Sequence, residues 1–232
     1  MKTFLVLLVI TYHSVSFSQQ VINVDKSDIN INYSPSDMLH GHSMGNTHYV
    51  TVTSGSPYFS ENWMVSDIYI TDSMVARKVR VKLNLLNGSF LYMNNKNEEL
   101  VSEQPVLKIT MSDTLTKTNY SFLHFSGTAK NPGKSWYQVL AGKKFILLKK
   151  YNKKIVESKI YASSITEQDI RTTEDYLIGY SNNLIPLKKF SAIIELAGNN
   201  GNKIEQYISM NHLSVKKEAD LISVINYYNS LN

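Results

Sequence analysis

The stretch VRVKLNLLNGSFLYM, residues 79–93, contains the clearest structural signal in the sequence. Apolar side chains alternate with polar ones up to Leu85, the pair Asn87-Gly88 interrupts the pattern, and Phe90 and Tyr92 resume it. Alternation with a period of two is typical of a strand that buries one face. Asn and Gly both accept positive φ angles, as both central residues of a two-residue type I′ turn must. The stretch therefore predicts a β-hairpin whose register is set at Asn87-Gly88.

Shorter alternating segments lie on both sides of this hairpin and predict an antiparallel β domain over residues 48–187. We expect about eight to ten strands in a meander, curled into a twisted sheet or an incomplete barrel. Residues 163–173 are polar and are interpreted as a connection between strands. The other strand candidates are residues 48–54, 65–71, 106–111, 119–125, 136–140, 144–151, 155–161, 176–180 and 184–187.

The hydrophobic period changes near residue 187, where apolar residues begin to recur every three or four positions, the spacing of one helix face. Helices as short as these are marginal in water on their own, so residues 188–232 are expected to pack on the β domain. Strands followed by helices, without strand–helix alternation, indicate the α+β class. We predict three short helices, with apolar stripes at Leu187, Phe190, Ile193, Ile194 and Ala197, at Ile204, Tyr207 and Ile208, and at Leu221, Val224, Ile225, Tyr228 and Leu231.

The first 18 residues have the pattern of an export signal peptide. Lys2 supplies a positive charge, FLVLLVI at residues 4–10 is an apolar core, and small residues precede a cleavage site near Ser18/Gln19. The mature protein is therefore expected to be secreted or periplasmic. Residues 19–47 are rich in Asn, Ser and Asp and are interpreted as a polar N-terminal arm. The chain contains no cysteine, so its fold must be stable without disulfides.

The net charge of the chain is mild, because 24 Lys and Arg residues face 19 Asp and Glu residues and give +5. A nucleic-acid-binding protein is normally more basic, so nucleic acid is not an expected partner. After the signal peptide, no segment approaches the roughly 20 apolar residues that a membrane-spanning helix needs. We therefore expect no membrane span in the mature chain. The expected partner of an exported protein of this kind is an envelope protein or a glycan.

Residues 41–45 read GHSMG and match the G-x-S-x-G pattern of a serine-hydrolase nucleophile elbow. An elbow needs a buried strand before the serine and a helix after it, whereas a polar arm precedes Ser43 and a strand candidate follows it. His40, His42 and His48 offer imidazoles for a metal ion, but their spacing matches no known ligand frame. We expect no catalytic residue, no metal ligand and no cofactor. The alternative is a hydrolase or metal-dependent enzyme with its site around these residues.

Lysines are concentrated between residues 143 and 159. One interpretation is a patch for an anionic partner, such as a lipid head group, a polysaccharide or an acidic protein. The interpretation that we favour is protection of an exposed strand edge against aggregation, because the lysines flank the apolar run FILL at residues 145–148. The lysines are Lys143, Lys144, Lys149, Lys150, Lys153, Lys154 and Lys159.

Four aromatic residues are candidates for a ligand-binding surface: Tyr58, Trp63, Trp136 and Tyr137. Tyrosine and tryptophan combine a flat apolar ring with one polar atom, so they suit contacts with a sugar. The alternative is that these side chains belong to the core, as aromatic residues in strands often do. The leading hypothesis is an exported, non-enzymatic binding or interaction protein of the bacterial cell envelope.

Four parts of the sequence carry a resemblance: Gly55-Ser56-Pro57-Tyr58 with Trp63, a lysine-containing hairpin, residues 136–140 (WYQVL), and residues 205–208 (EQYI) with 226–229 (NYYN). They resemble a group of uncharacterised secreted bacterial proteins of the cell envelope. The resemblance covers most of residues 55–231, and it implies an exported protein with a β-rich body and a helical tail. It brings no catalytic residues.

Overall fold

The computed structural model describes residues 34–43, 50–125, 135–159, 166–180 and 183–231. The predicted signal peptide, the first part of the polar arm and His48 lie outside these residues. One turn of 3-10 helix, Pro35–Met38, precedes the first strand. The described part of the chain forms twelve strands: β1 Gly41–Ser43, β2 Val50–Ser54, β3 Met64–Tyr69, β4 Val75–Leu83, β5 Phe90–Met93, β6 Glu99–Ser102, β7 Lys108–Asp113, β8 Thr118–Phe125, β9 Ser135–Gly142, β10 Ile146–Lys159, β11 Thr166–Tyr180 and β12 Asn183–Pro186.

These strands belong to one mixed sheet with the order β1-β6-β5-β4-β3-β7-β8-β9-β10-β11-β12. Neighbours along this order are antiparallel. Strand β2 lies off the path and pairs with β11 in parallel. The predicted strand-rich body is confirmed in outline. The predicted eight to ten strands are too few, and the β2–β11 pair departs from a purely antiparallel meander.

Strands β10 and β11 are the longest, and they pair from Ile146 opposite Gly179 to Lys159 opposite Thr166. Two predictions fail here. Residues 146–151 and 155–159, which belong to two separate strand candidates, lie in one continuous strand, and part of the predicted polar connection is the first half of β11. Backbone pairing with β10 holds that segment extended, although it has no continuous apolar face. The sequence pattern alone therefore did not indicate a strand.

The first part of β10 is an interior strand, because β9 pairs with it on one side and β11 on the other. Lys149 and Lys150 lie in this doubly paired part. The interpretation of these two lysines as protection of a strand edge is therefore wrong. In the described residues, the pairing of β10 with β9 ends at Lys150, and from Tyr151 onwards β10 is paired with β11 alone.

Strands β4 and β5 form the predicted hairpin, but its turn differs from the prediction. Leu83 pairs with Phe90, so the connection has six residues, 84–89, and the register is offset by two positions. An offset of two keeps the same side chains on the core face. The Asn84 carbonyl accepts a hydrogen bond from Gly88 N at 3.1 Å. Of the pair Asn87-Gly88, Gly88 alone has a positive φ, +74°, so a type I′ turn is excluded.

Two hydrophobic clusters make up the core of the described chain. The first lies among strands β3 to β9 and includes Ile68, Ile109 and Phe122, which are fully buried. The second lies between β10–β11 and three C-terminal helices, α1 Ser191–Leu196, α2 Gly201–Met210 and α3 Glu218–Ser230. Sheet and helices therefore share one of the two clusters.

The C-terminal helices follow the predicted apolar spacing closely in α3. Leu221, Val224, Ile225 and Tyr228 are all buried on its inner side. Helix α1 begins later than its predicted apolar stripe. Leu187, the first residue of that stripe, is buried, but it lies in the connection that precedes α1. In the ranges that the structure describes, no helix has both the length and the apolar character needed to cross a membrane.

Candidate functional site

The loop between β2 and β3 carries Tyr58 and Trp63, and its backbone is bonded to the end of β4. Tyr58 forms an isolated antiparallel bridge with Asn84. The next residue, Phe59, enters the first core cluster, with its ring 4.8 Å from that of Phe122. Successive side chains of an extended segment point in opposite directions, so Tyr58 faces away from that core. The main-chain hydrogen bonds that fix the loop are Phe59 N to Leu83 O at 2.8 Å and Leu85 N to Pro57 O at 2.9 Å.

Tyr58 and Trp63 converge on Lys82 of β4. The Lys82 ammonium lies 5.3 Å from the centroid of the Tyr58 ring and 5.4 Å from that of the Trp63 ring. Both distances are within the range of a cation–π contact. Trp63 reaches this position because the next residue, Met64, pairs with Val81, the neighbour of Lys82. The Lys82 ammonium thus contacts both aromatic rings.

Glu61 completes this group, which we call the aromatic–lysine cluster: Tyr58, Glu61, Trp63 and Lys82. The Glu61 carboxylate lies 3.7 Å from the Lys82 ammonium and also accepts a hydrogen bond from the Ser56 hydroxyl. Glu61 is well exposed, at 64% of its side chain, whereas Lys82 is 19% exposed. The cluster therefore presents half-buried aromatic rings beside an accessible carboxylate.

Burial and neighbouring charges together shift the pKa values of two groups at the cluster. Burial raises the pKa of the Tyr58 hydroxyl, and the negative charges of Glu61 and Glu99 raise it further. Tyr58 is therefore neutral at physiological pH and can donate a hydrogen bond. A second lysine reaches the same loop, since the Lys153 ammonium donates to Ser56 O at 2.7 Å. Burial lowers the pKa of Lys153, and the charge of Glu61 opposes this effect.

The other two predicted ligand-binding residues lie elsewhere. Trp136 is 3% exposed and belongs to the first core cluster, where its indole N–H donates to Gly88 O at 3.0 Å. Tyr137 follows it in β9 and therefore faces the other side of the sheet, where Lys150 lies 5.8 Å from its ring centroid. The structure thus brings Tyr58 and Trp63 together and separates both from Trp136 and Tyr137.

A cavity of about 120 Å³ lies beside Trp136. The β4–β5 turn and the β6–β7 connection form two of its walls. The carbonyl oxygen of the Gln104 side chain is buried and has no hydrogen-bond partner among the described residues. The lining includes Gly88, Phe90, Ser102, Gln104, His124 and Trp136, and we call it the Gln104 cavity.

A buried charged group that the sequence interpretation missed lies where β10, β11 and α3 meet. The Lys149 ammonium is 2.9 Å from carboxylate oxygens of both Glu174 and Glu218. Burial lowers the pKa of Lys149, but the hydrogen bonds that its ammonium donates to the two carboxylates outweigh this effect and raise the pKa overall. The sequence contained a signal for the burial of this lysine. Lys149 falls at the same period-two positions as three apolar or aromatic residues, Phe145, Leu147 and Tyr151.

Of the residues proposed for an enzymatic alternative, the described ones, His40, His42 and Ser43, lie in or next to β1 at one end of the sheet order. Ser43 is exposed within β1, where it pairs with Leu100 of β6. Ser43 is the last residue of β1, and the segment after it, where a nucleophile elbow would begin its helix, lies outside the described residues. His42 is exposed, and its Nδ1 lies 2.8 Å from a Glu103 carboxylate oxygen. In the part of the chain that the structure describes, no group of three or more His, Asp or Glu side chains is placed to hold a metal ion.

Comparisons with protein-family models, with curated proteins and with solved structures found no match to this chain.

Proposed function

We propose that this chain is an exported, non-enzymatic binding protein of the bacterial cell envelope and that it binds a glycan at the aromatic–lysine cluster. The single observation that carries this proposal is the convergence of the Tyr58 and Trp63 rings on Lys82. The two residues are separated in the loop, yet the bonds between that loop and β4 bring them to the same lysine. Two half-buried rings at one place on the sheet form a preorganised contact surface.

The chemistry of the cluster favours a sugar over a purely apolar ligand. One face of a pyranose ring carries C–H bonds, and these pack against a flat aromatic ring. The hydroxyl groups at the ring edge need hydrogen-bond partners. Glu61 supplies an exposed acceptor, Lys82 a donor, and the neutral phenol of Tyr58 either role. A few placed polar groups beside apolar surface are typical of small-molecule sites.

The cluster is better suited to holding a ligand than to acid–base catalysis. Glu61 is engaged by Lys82 and by the Ser56 hydroxyl. The raised pKa of Tyr58 keeps its proton in place. A catalytic acid or base works best with a pKa near the working pH. The pKa of Tyr58 is raised further above that range.

The proposed location in the envelope follows from the sequence. Residues 1–18 have the composition of an export signal, and the chain lacks cysteine and has a net charge of only +5. Envelope polysaccharides are an abundant ligand class in that compartment. A test of export is the size of the protein recovered from periplasmic and culture fractions, which should correspond to cleavage near Ser18/Gln19.

Binding is tested with the purified protein and a panel of soluble envelope polysaccharides, followed by titration calorimetry on any that bind. Trp63→Ala should weaken binding at least tenfold, because the variant loses one of the two rings. Tyr69→Ala is the matched control: Tyr69 lies in β3 and also has a lysine, Lys108, 5.1 Å from its ring centroid. Equal affinity of the Trp63→Ala and Tyr69→Ala variants would exclude the aromatic–lysine cluster as the site.

A further inference from the structure

The sheet carries an apolar patch on its outer face, on the side opposite the two core clusters. In β10, Leu147 points towards the helices and belongs to the second cluster. Its neighbours Ile146 and Leu148 therefore point to the other face of the sheet. Leu148 is only 1% exposed, yet it belongs to neither cluster. The outer face thus has apolar packing of its own.

A cavity of about 130 Å³ opens on this patch, and we call it the Gly179 cavity. Gly179 of β11 lies opposite Ile146 and has no side chain, which leaves the space open. A Cβ added at Gly179 would meet the Leu148 side chain at 3.4 Å and the Ile146 Cβ at 3.7 Å. The apolar walls include four half-buried side chains that a bound group can reach: Leu123, Phe125, Ile146 and Leu184.

The opening of the Gly179 cavity is polar. Lys144 and Asn183 are exposed members of its lining, so they stand where the cavity meets solvent. Among the described lining residues, Lys144 is the one that carries a charge. The Lys144 ammonium forms no ion pair within the part of the chain that the structure describes. An apolar interior therefore lies beside a positive charge that is available to a ligand.

The size of the cavity limits the group that enters it. An engineered apolar cavity of about 150 Å³ stays dry and binds benzene, and the Gly179 cavity is slightly smaller, at about 130 Å³. It is well below the roughly 300 to 1,000 Å³ of pockets that enclose a drug-sized ligand. It therefore suits about six carbon atoms of an alkyl chain, and a negative head group on that chain would meet Lys144.

We infer that the Gly179 cavity binds the alkyl chain of a free anionic amphiphile, with the carboxylate of that molecule at Lys144. This site goes beyond the proposed glycan binding, because it shares no residue with the aromatic–lysine cluster. Burial of one methylene group corresponds to about a fourfold gain in affinity. The gain ends when the cavity is full, so the affinity should rise with chain length and then level off.

The test is titration calorimetry of the purified mature protein with sodium hexanoate, octanoate and decanoate, each below its micelle concentration. Octanoate should bind about tenfold more tightly than hexanoate, because it has two more methylenes. The gain from octanoate to decanoate should be smaller. Octyltrimethylammonium has the same chain length and a positive head group, and it should bind more weakly than octanoate. Equal affinity for all three carboxylates, or no binding of any of them, would overturn the inference.

Two variants and a matched control locate the bound chain. Gly179→Ala places a methyl group in the cavity and should weaken octanoate binding about fourfold, the equivalent of one methylene. Lys144→Gln keeps the backbone N–H that donates to Asn229 and should abolish the preference for octanoate over octyltrimethylammonium. Lys143→Gln is the control, at an exposed lysine that is not among the described lining residues, and should bind octanoate as the wild type does.

Unchanged octanoate affinity in Gly179→Ala would overturn the inference. Thermal unfolding without ligand should be the same for this variant and the wild type, so that a weaker affinity reports the cavity and not a damaged fold. Sedimentation with phosphatidylglycerol vesicles distinguishes a free amphiphile from a membrane lipid. The wild type should stay in solution. Sedimentation with the vesicles that Gly179→Ala reduces would overturn the choice of a free amphiphile.

Discussion

The Lys149 ammonium and the Glu218 carboxylate are 2.9 Å apart and join the sheet to the last helix. Glu218 is the first residue of α3, and Lys149 lies in the interior part of β10. Glu174 of β11 binds the same ammonium at 2.9 Å. The Lys149 side chain is only 11% exposed, so this ion group is shielded from water more than a surface salt bridge is.

Lys149→Met should lower the free energy of unfolding by about 2 kcal/mol. The variant keeps the length of the side chain but leaves two carboxylates without their cation. Removal of one partner from a fully buried ion pair costs about 3 to 5 kcal/mol, and the cost is smaller here because Glu174 and Glu218 are 42% and 37% exposed. Urea unfolding followed by circular dichroism measures the change.

Lys150→Met is the matched control for this prediction. Lys150 is the next residue of β10 and points to the opposite face, over the ring of Tyr137. Its replacement should change the free energy of unfolding by no more than about 0.5 kcal/mol. If the Met variants at positions 149 and 150 unfold at the same urea concentration, the ion group does not anchor α3.

Alkaline pH should weaken the contact between the sheet and α3 at Glu218. Tyr176 donates to the Glu218 carboxylate at 2.9 Å, and burial, followed by this hydrogen bond, raises the Tyr176 pKa from 10.0 to about 12. A raised pKa means that the folded protein holds the proton more tightly than the unfolded chain. The stabilisation is therefore complete below pH 10 and is lost as the pH rises through about 12. The raised pKa of Lys149 acts in the same direction.

The Tyr176→Phe variant tests this pH dependence. At pH 8 it should be less stable than the wild type by about 1 kcal/mol, the typical net contribution of one hydrogen bond. The difference between the two proteins should shrink as the pH rises from 10 towards 12, because the wild type alone loses the Tyr176 proton. The measurement is the urea midpoint of both proteins over that range. A difference that stays constant with pH would contradict the assignment.

Asn229 of α3 clamps the β9–β10 turn onto the helix. Its side-chain oxygen accepts from the backbone N–H groups of Lys144 and Phe145, at 3.1 and 3.2 Å. Its side-chain nitrogen donates to Phe145 O and to Ile225 O, at 3.0 and 2.9 Å. One amide thus satisfies backbone groups at the turn and in its own helix.

Asn229→Ala should lower the free energy of unfolding by about 2 kcal/mol, because three backbone groups at the turn lose a partner and two of them, the N–H and the carbonyl of Phe145, are half-buried. Asn226→Ala, at an exposed position almost one turn earlier in α3, is the matched control. It should be neutral or slightly stabilising, since Ala is the better helix former. Chemical unfolding of both variants measures the difference, and equal stability would exclude the clamp.

Hydrophobic alternation identifies the strands that have one buried face and misses those that do not. In β3 the residues Met64, Ser66 and Ile68 are buried and alternate with more exposed ones, as the pattern predicts. The first half of β11 has no such face, and among its described side chains Ile170 alone is buried. Pairing with a distant strand fixes it, and a local pattern does not report such pairing. The apolar stripe of α3 is predicted well because it is continuous.

The candidate site is predictable in part for a similar reason. The residue types of Tyr58 and Trp63 make them candidates, but their meeting at Lys82 depends on the bridge between Tyr58 and Asn84, 26 positions apart in sequence. Trp136 is a tryptophan like Trp63, yet its side chain is buried in the core, so residue type alone does not identify the site. Gln104 gives no signal in the sequence, because only the surrounding walls make its oxygen unusual.

Gly88→Val should cost at least about 1 kcal/mol of unfolding free energy. Gly88 has φ of +74°, a conformation that is strained for a β-branched residue. The cost applies although the turn has six residues, because the hydrogen bond from Gly88 N to Asn84 O closes it in that conformation. Gly179→Ala is the control, since no positive φ is found there and an added Cβ would meet Leu148 at an ordinary 3.4 Å.

Thermal unfolding of the two glycine variants distinguishes the effect of backbone conformation from that of added volume. Gly179→Ala should change the free energy of unfolding by less than about 0.5 kcal/mol. Gly88→Asn, which adds a larger side chain but tolerates positive φ, should recover part of the loss seen in Gly88→Val. If Gly88→Asn is as unstable as Gly88→Val, crowding in the buried turn and not the φ angle sets the cost, and the hairpin does not depend on glycine for its conformation.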